Sequence, residues 1–206
     1  MKRFEQFERE LQTVIPFRIR FKDESPEMKW LYPFVALFCP DFLRNYTTVI
    51  GSTIYFPSRE KLQKDEVQAI RTLAHEAVHL LDAERWGMPI FAVGYLFPQI
   101  LALGVFLMPF IGLSSILFLL FLLPWPSPFR TYAESRGYAL DVLTTPFHQR
   151  DAAIDRYARH FSAWSYYLMF PFPGMAKRKL HHWVHLAETG KDPVLFEVLT
   201  MYKRSI

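Results

Sequence analysis

The sequence predicts an α+β fold: a small antiparallel sheet, a helix with a candidate site, an inserted apolar helical hairpin, and a second site helix that carries a glutamate. Three observations predict it. β-rich runs occupy the first part of the chain, His75-Glu76-Ala77-Val78-His79 lies in an amphipathic segment, and the 44 positions 86–129 contain no charged residue. We therefore divide the chain into a first half (1–86), a hairpin (87–129) and a helical second half (130–206).

The composition limits the class of protein. Every Asp, Glu, Lys and Arg lies outside the uncharged stretch, so the remainder has the surface of an ordinary soluble domain. The net charge of +4 comes without an arginine-rich arm or a nucleic-acid motif, so we expect no nucleic-acid partner and favour an anionic membrane surface. A single cysteine, Cys39, excludes an intramolecular disulfide and is compatible with a reducing compartment.

The first element is predicted to be an amphipathic helix. Phe4, Phe7, Leu11 and Val14 recur at helical spacing. A helix that packs on its own domain is favoured over one that lies in a membrane. The N-terminal residues contain no apolar core of a cleavable signal peptide.

Three short strands are predicted to follow. Residues 17–22 alternate between apolar and basic side chains, which indicates a strand with one buried face. The β-rich runs 45–50 and 53–56 are separated by Gly51-Ser52, a two-residue loop suited to a type II′ hairpin. The aromatic segment 27–44 is left unassigned.

The motif-bearing helix is predicted to begin between Ser58 and Asp65 and to run to about Arg85. Gly87 and Pro89 end it, because glycine and proline follow helix C-termini. Its apolar stripe has six members: Val67, Ile70, Ala74, Ala77, Val78 and Leu81.

The uncharged stretch predicts a hairpin that contacts the bilayer through residues 88–128. A turn at 108–110 leaves apolar helices over 90–107 and 110–123, about 18 and about 14 residues long, whereas a full crossing needs about 20. A tight two-span hairpin and a re-entrant loop both fit. The competing interpretation is a soluble oligomer that buries the hairpin between subunits; the sequence does not fix the oligomeric state.

Helices are predicted again over 129–144 and 149–160, followed by a C-terminal pair. The aromatic run 162–174 suits a bilayer interface and a domain core equally well. Basic residues at 177–179 indicate a partly exposed helix near anionic lipid.

The HExxH motif predicts a zinc site. At i and i+4 on a helix, His75 and His79 direct both imidazoles to one point, and Glu76 reaches a zinc-bound water rather than the metal. Zn²⁺ lowers the pKa of that water towards 7 and polarises a carbonyl, while Glu76 takes the proton and passes it to the leaving amine. A third protein ligand is needed, and Glu134 is predicted, because a hairpin returns the chain beside the His helix.

Five further residues are candidates for supporting roles. Metal-bound imidazoles donate their other N–H to an acceptor, and the carboxylates of Asp82 and Asp141 are the predicted acceptors. Tyr138, Tyr157 and His160 are candidate donors to the oxyanion that peptide hydrolysis generates.

HEAVH with a distant helical Glu134 resembles the gluzincin metallopeptidases. The apolar hairpin between them resembles the membrane-embedded branch, such as the CAAX prenyl proteases and the bacterial heat-shock-induced membrane peptidase. The resemblance covers residues 65–141 and implies a zincin-like fold, Zn²⁺ on two His and one Glu, and hydrolysis of a polypeptide bound as a strand along the sheet edge, here the 45–56 hairpin. The family often has Asp four residues after the ligand Glu, where this chain has Tyr138.

Charge around the hairpin predicts its orientation. Arg85 and Arg130 bracket it, Arg136 and the basic run at 177–179 follow, and its tip is uncharged, so the positive-inside rule places the catalytic domain in the cytoplasm. The prediction is a membrane-associated zinc metalloendopeptidase. The alternative is a membrane-anchored, zincin-like scaffold that binds metal without proteolysis.

Overall fold

The computed structural model describes residues 1–36, 41–166 and 168–206, in which the chain is mostly helical with one small sheet. Cys39, on which the redox interpretation depends, lies outside these ranges. The elements in chain order are α1 (Lys2–Val14), β1 (Arg18–Phe21), α2 (Pro26–Ala36), α3 (Phe42–Asn45), β2 (Thr48–Ile50), β3 (Thr53–Phe56), α4 (Arg59–Lys64), α5 (Glu66–Trp86), α6 (Met88–Leu96), α7 (Met108–Ile111), α8 (Pro128–Leu143), α9 (Arg150–Phe161), α10 (Pro173–Glu188) and α11 (Pro193–Ser205).

The sheet is mixed, in the order β1-β3-β2. β2 and β3 form the predicted antiparallel hairpin, and Gly51 has the positive φ of 58° that the first central position of a type II′ turn requires. β1 pairs with β3 in parallel, from Arg18 with Thr53 to Phe21 with Phe56, so the predicted all-antiparallel sheet is wrong. The connection from β1 contains α2 and α3, which is long enough to bring a parallel neighbour alongside.

The main hydrophobic core joins the two halves of the chain. α1 inserts Phe4, Phe7 and Leu11 into it and packs on α5 and α11, as an amphipathic helix of the domain should. Val14, the fourth predicted member of that face, is 36% exposed. α5 is central, because it contacts α1, α8 and α11.

The predicted motif helix is divided into α4 and α5 at Asp65. The Asp65 side chain accepts a hydrogen bond from the Gln68 N–H at 2.9 Å, which caps α5 and satisfies one of its free donors. At the other end Gly87 adopts φ 86°, and Pro89 lies in the first turn of α6. The helix therefore ends where the sequence predicts.

The apolar insertion is a hairpin with its turn at α7, the predicted position. The first predicted apolar helix is divided, because α6 ends at Leu96. The two arms, Gln99–Leu107 and Gly112–Leu122, are helical as predicted but of the 3₁₀ type. The two arms pack on each other, so closely that a Cβ on Gly104 would lie 2.3 Å from the Phe118 ring. As a single helix, residues 99–122 would be long and apolar enough to cross a membrane. In the observed hairpin, Ala102 and Ser115 are the buried residues of this segment.

The two ends of the insertion meet at what we call the hairpin base, residues 86, 97 and 127–129. The Ser127 hydroxyl donates to the Phe97 carbonyl at 2.6 Å, and the Trp86 and Phe129 rings lie 5.9 Å apart. The chain thus returns to the place it left, and α8 packs on α5. This return places the second site helix beside the first.

Candidate metal centre

His75, His79 and Glu134 converge on one point between α5 and α8. Their ligand atoms lie within 4.8 Å of one another. Nε2 of His75 is 3.7 Å from Glu134 Oε2, and Nε2 of His79 is 3.8 Å from Glu134 Oε1. All three side chains are largely buried, so the group could bind a metal ion.

α8 presents one face to His75. Glu134, Gly137, Tyr138 and Asp141 stand at i, i+3, i+4 and i+7, which places them on a single stripe. The Tyr138 ring lies 4.9 Å from the His75 ring, and Asp141 Oδ2 lies 3.0 Å from His75 Nδ1. Asp141 therefore occupies the predicted supporting position, one turn beyond Tyr138.

Gly137 permits this close packing. A Cβ at this position would lie 2.6 Å from Nε2 of His75, closer than any side chain tolerates. The imidazole consequently rests against the backbone of α8. In sequence alone, Gly137 is a residue that weakens a helix.

Two tyrosines that the sequence did not predict bind the Glu134 carboxylate. Tyr95 donates its hydroxyl to Oε1, and Tyr166 donates to Oε2 at 2.5 Å. Tyr95 belongs to α6, at the root of the hairpin, and Tyr166 to the 3₁₀ turn Trp164–Tyr166. The half-buried Arg130 packs over both rings, 5.3 Å and 5.4 Å from their centroids. In the sequence, the hydroxyl of Tyr95 in the otherwise apolar α6 is the signal that could have identified this residue.

Asp82 does not contact either candidate imidazole. Arg136 donates to both of its oxygens, at 2.7 Å and 3.0 Å, and also binds Asp192, which caps α11. All three are buried, and they connect α5, α8 and α11. Within the described residues Nδ1 of His79 is buried without a hydrogen-bond partner. Asp82 shares the helix face of His79 but is turned towards Arg136 on α8.

The three predicted oxyanion donors lie on the Tyr138 side of the site. Tyr138 contacts His75 directly, and its hydroxyl is 3.3 Å from that of Tyr166. Tyr157 packs on Tyr138 with ring centroids 4.5 Å apart, and His160 packs on Tyr166 at 4.2 Å. Tyr157 and His160 therefore approach the site through other aromatic rings.

The buried charges set the protonation states. Burial lowers the pKa of His79 to about 4, so this imidazole is neutral at pH 7, as a metal ligand must be. Burial alone would also lower the pKa of His75, but the carboxylates of Asp141 and Glu134 outweigh it and raise that pKa well above its usual value. Burial, together with the charges of Glu134 and Asp141, raises the pKa of Glu76 to about 7.

No protein-family model matches this chain, and no curated protein or solved structure is significantly similar to it. A function must therefore be inferred from the geometry and chemistry of the site rather than from relatives.

Proposed function

We propose that the protein is a membrane-associated zinc metallopeptidase with a zincin-like site. The observation that carries the proposal is the position of Glu134, which the folded hairpin brings between the two imidazoles of the HExxH helix. Glu76, the next residue after His75, has a pKa of about 7 and is only partly buried. A general base is most effective when its pKa lies near the working pH.

The donor set fits zinc. Tetrahedral Zn²⁺ with ligands at about 2.0–2.2 Å has donor atoms roughly 3.3–3.5 Å apart. The pairs of Glu134 with His75 and His79, at 3.7 Å and 3.8 Å, need to close by only a few tenths of an ångström. The two imidazoles, within 4.8 Å of each other, need to close further. Two imidazoles and one carboxylate leave a fourth position for water or substrate, the arrangement typical of catalytic sites. Bound zinc supplies a Lewis acid that polarises the scissile carbonyl and acidifies the attacking water.

The side chains divide the remaining work. Asp141 accepts the Nδ1–H of His75, which leaves Nε2 free to face the metal position. Tyr95 and Tyr166 hold the Glu134 carboxylate in place. Glu76 accepts the proton of the attacking water at its carboxylate and returns it to the leaving amine nitrogen.

The sheet supports a polypeptide substrate. β2 lies at the sheet edge and packs against α5, the helix that carries His75 and His79. An extended peptide can add to such an edge as a further strand, and its main-chain hydrogen bonds need no particular sequence. The scissile bond of a peptide bound in this way would lie beside the helix that carries the HExxH motif.

The hairpin supports action close to a membrane surface. Trp86 at the hairpin base lies seven positions after His79 on α5, about 10 Å away at 1.5 Å per residue. The site therefore stands close to the lipid if the hairpin is inserted. We place the catalytic domain in the cytoplasm, on the strength of Arg85 and the basic residues of α10. Arg136 is 1% exposed and in ion pairs, so it does not contribute to a surface charge.

The test is metal analysis and proteolysis of an unfolded protein substrate by wild type, Glu76→Gln and Glu84→Gln. We expect one zinc per chain in all three and a loss of about 10²–10⁴-fold in rate for Glu76→Gln alone. Glu84 is the matched control, because it is an exposed glutamate on the same helix. Wild-type protein that binds no zinc contradicts the proposal. Biological function retained by Glu76→Gln favours the non-proteolytic scaffold.

A further inference from the structure

A second segment lies at the hairpin base. We call residues 162–172, without Tyr167, the base loop. Its Met169 carbonyl accepts hydrogen bonds from the Ser127 N–H at 2.9 Å and from the Thr131 hydroxyl at 3.5 Å. Ser127 in turn binds Phe97, at the other end of the insertion. The base loop is therefore tied to the two points where the chain enters and leaves the hairpin.

α10 begins at the same place. It packs along α8, and both helices start beside the Ser127–Met169 hydrogen bond. At the far end of α10, Glu188 pairs at 2.6 Å with Arg150, which also binds the Leu143 carbonyl at the end of α8. The two helices thus run in parallel away from the hairpin base. The first turns of α10 are the turns nearest to the apolar hairpin.

The aromatic side chains of this region divide into two sets. Met169 and Phe170 are buried in the core, which is one of the two roles the sequence allowed. Trp164 is 73% exposed and Phe172 is 57% exposed, and Met175 in the first turn of α10 is also exposed. Large apolar side chains next to an apolar hairpin extend the same water-excluding surface.

Basic side chains follow the exposed apolar ones along α10. Arg178 and Lys179 stand one turn further along α10, beside exposed His181 and His182. α10 contains no acidic residue before Glu188. The charge of Lys177 is compensated, because its ammonium group pairs with Asp155 at 2.6 Å. The order from the hairpin base is therefore apolar, aromatic and then basic, which matches the acyl region, the interface and the headgroups of an anionic bilayer.

We propose that the base loop and the first turns of α10 form a second membrane-binding surface, which docks on anionic lipid beside the inserted hairpin. Trp164, Phe172 and Met175 enter the interface, and Arg178 and Lys179 bind the phosphate headgroups. The proposal rests on insertion of the hairpin, which belongs to the proposed function, but not on the zinc chemistry. Tyr166 in this loop binds Glu134, so the docked surface adjoins the metal centre.

The test uses the full chain in phosphatidylcholine vesicles, with and without phosphatidylglycerol, and brominated lipids that quench tryptophan at the interface. Trp164→Phe is compared with Trp30→Phe, because both indoles are 73% exposed but Trp30 lies on α2, beside the sheet. We expect a quenched fluorescence component that Trp164→Phe removes and Trp30→Phe retains. The Trp125→Phe variant, at the hairpin, reports insertion separately.

The charge contribution is tested with Arg178→Gln/Lys179→Gln against Lys203→Gln/Arg204→Gln, an exposed basic pair on α11. We expect quenching of Trp164 to increase with phosphatidylglycerol in wild type and in the α11 control, and to lose that dependence in the α10 variant. Quenching of Trp125 without quenching of Trp164 overturns the second surface and leaves hairpin insertion standing. Absence of both overturns the second surface and the membrane role together.

Discussion

The Glu134 carboxylate is held on both sides, because each of its oxygens accepts a hydrogen bond from its own tyrosine hydroxyl. Tyr95 and Tyr166 come from opposite flanks of α8, one before and one after it in sequence. Burial raises the pKa of Glu134, but His75, His79 and Arg130 outweigh it and hold that pKa well below its usual range. The group is therefore an anion with a fixed orientation, as a metal ligand should be.

At Gly137, addition of a single methyl group should damage the metal centre. Gly137→Ala places a Cβ 2.6 Å from Nε2 of His75, so the imidazole must move. We expect zinc affinity to fall about 10–100-fold while the helical content is retained. Gly174→Ala is the control, because a Cβ there meets nothing within 4 Å. Equal affinities for the two variants, measured by competition with a chelator, contradict the geometry.

Zinc binding should release a proton from His75. The carboxylates of Asp141 and Glu134 raise its pKa, so they favour the protonated imidazole in the metal-free protein. We expect about one proton per zinc, detected as a calorimetric binding enthalpy that depends on the ionisation enthalpy of the buffer. Glu76→Gln is the protein to use, because Glu76 itself titrates near 7. Asp141→Asn should release less, and an enthalpy independent of the buffer contradicts the assignment.

Sequence reasoning succeeds for residues whose relation is local or follows from one topological step. The two histidines depend on helix spacing alone, and Glu134 on the return of the chain after the hairpin. Tyr95 and Tyr166 lie 39 and 32 residues from Glu134, so their hydrogen bonds depend on tertiary packing that no spacing reveals. The prediction for Asp82 failed for the same reason. Helix spacing placed it correctly on the face of the two histidines, but its carboxylate is bound by the buried Arg136.

At the scale of elements, α5 and α8 are joined by charge as well as by packing. Arg136 on α8 is 1% exposed and binds Asp82 on α5 and Asp192 before α11. The two helices that carry the ligands are therefore tied one turn away from the metal centre. A buried ion pair of this kind fixes relative position, and loss of one partner leaves charge without compensation.

Arg136→Met should accordingly destabilise the protein strongly. It leaves two buried carboxylates without their counter-ion, and we expect a loss of about 3–5 kcal/mol in the free energy of unfolding. Arg20→Met is the control, because Arg20 pairs with Glu27 at 2.8 Å on the surface and should change stability by less than about 1 kcal/mol. Denaturant unfolding in mild detergent, followed by circular dichroism, measures both. Similar losses in the two variants contradict the interpretation of this network.

Element types were predictable where periodicity is strong and not where long-range pairing decides. α1 and α5 follow apolar patterns in the sequence, and the observed bounds of α5, α8 and α9 agree closely with the predicted ranges. The parallel pairing of β1 with β3 was not predictable. Alternation of apolar and polar residues shows which face of a strand is buried, but not which strand it pairs with. The 3₁₀ conformation of the arms was also not predictable, because a run of apolar residues has no hydrophobic periodicity that distinguishes one helix type from another.

At the scale of the whole molecule, the arms of the hairpin contribute no residue to the hydrophobic core that joins the two halves of the chain. The arms are almost unburied, and the carbonyl of Phe97 meets the hydroxyl of Ser127 at 2.6 Å. A short Gly-Ser linker in place of residues 99–122 should therefore close the chain. We expect the shortened protein to be soluble without detergent and to bind one zinc, as shown by gel filtration with metal analysis.

Two other results would contradict this view. Loss of zinc binding or aggregation of the shortened protein means that the arms are part of the fold. Full-length protein that is already soluble as an oligomer supports the competing interpretation, in which the hairpin is buried between subunits.

The length of the arms has a mechanical consequence for the lipid around them. At about 2.0 Å per residue, 3₁₀ arms of 9 and 11 residues extend roughly 18 and 22 Å, against a hydrocarbon thickness of about 30 Å. An inserted hairpin of that length would displace the lipid of the near leaflet much more than that of the far one. Insertion would then favour strongly curved membranes with loosely packed headgroups, where the energetic cost of this asymmetry is lowest.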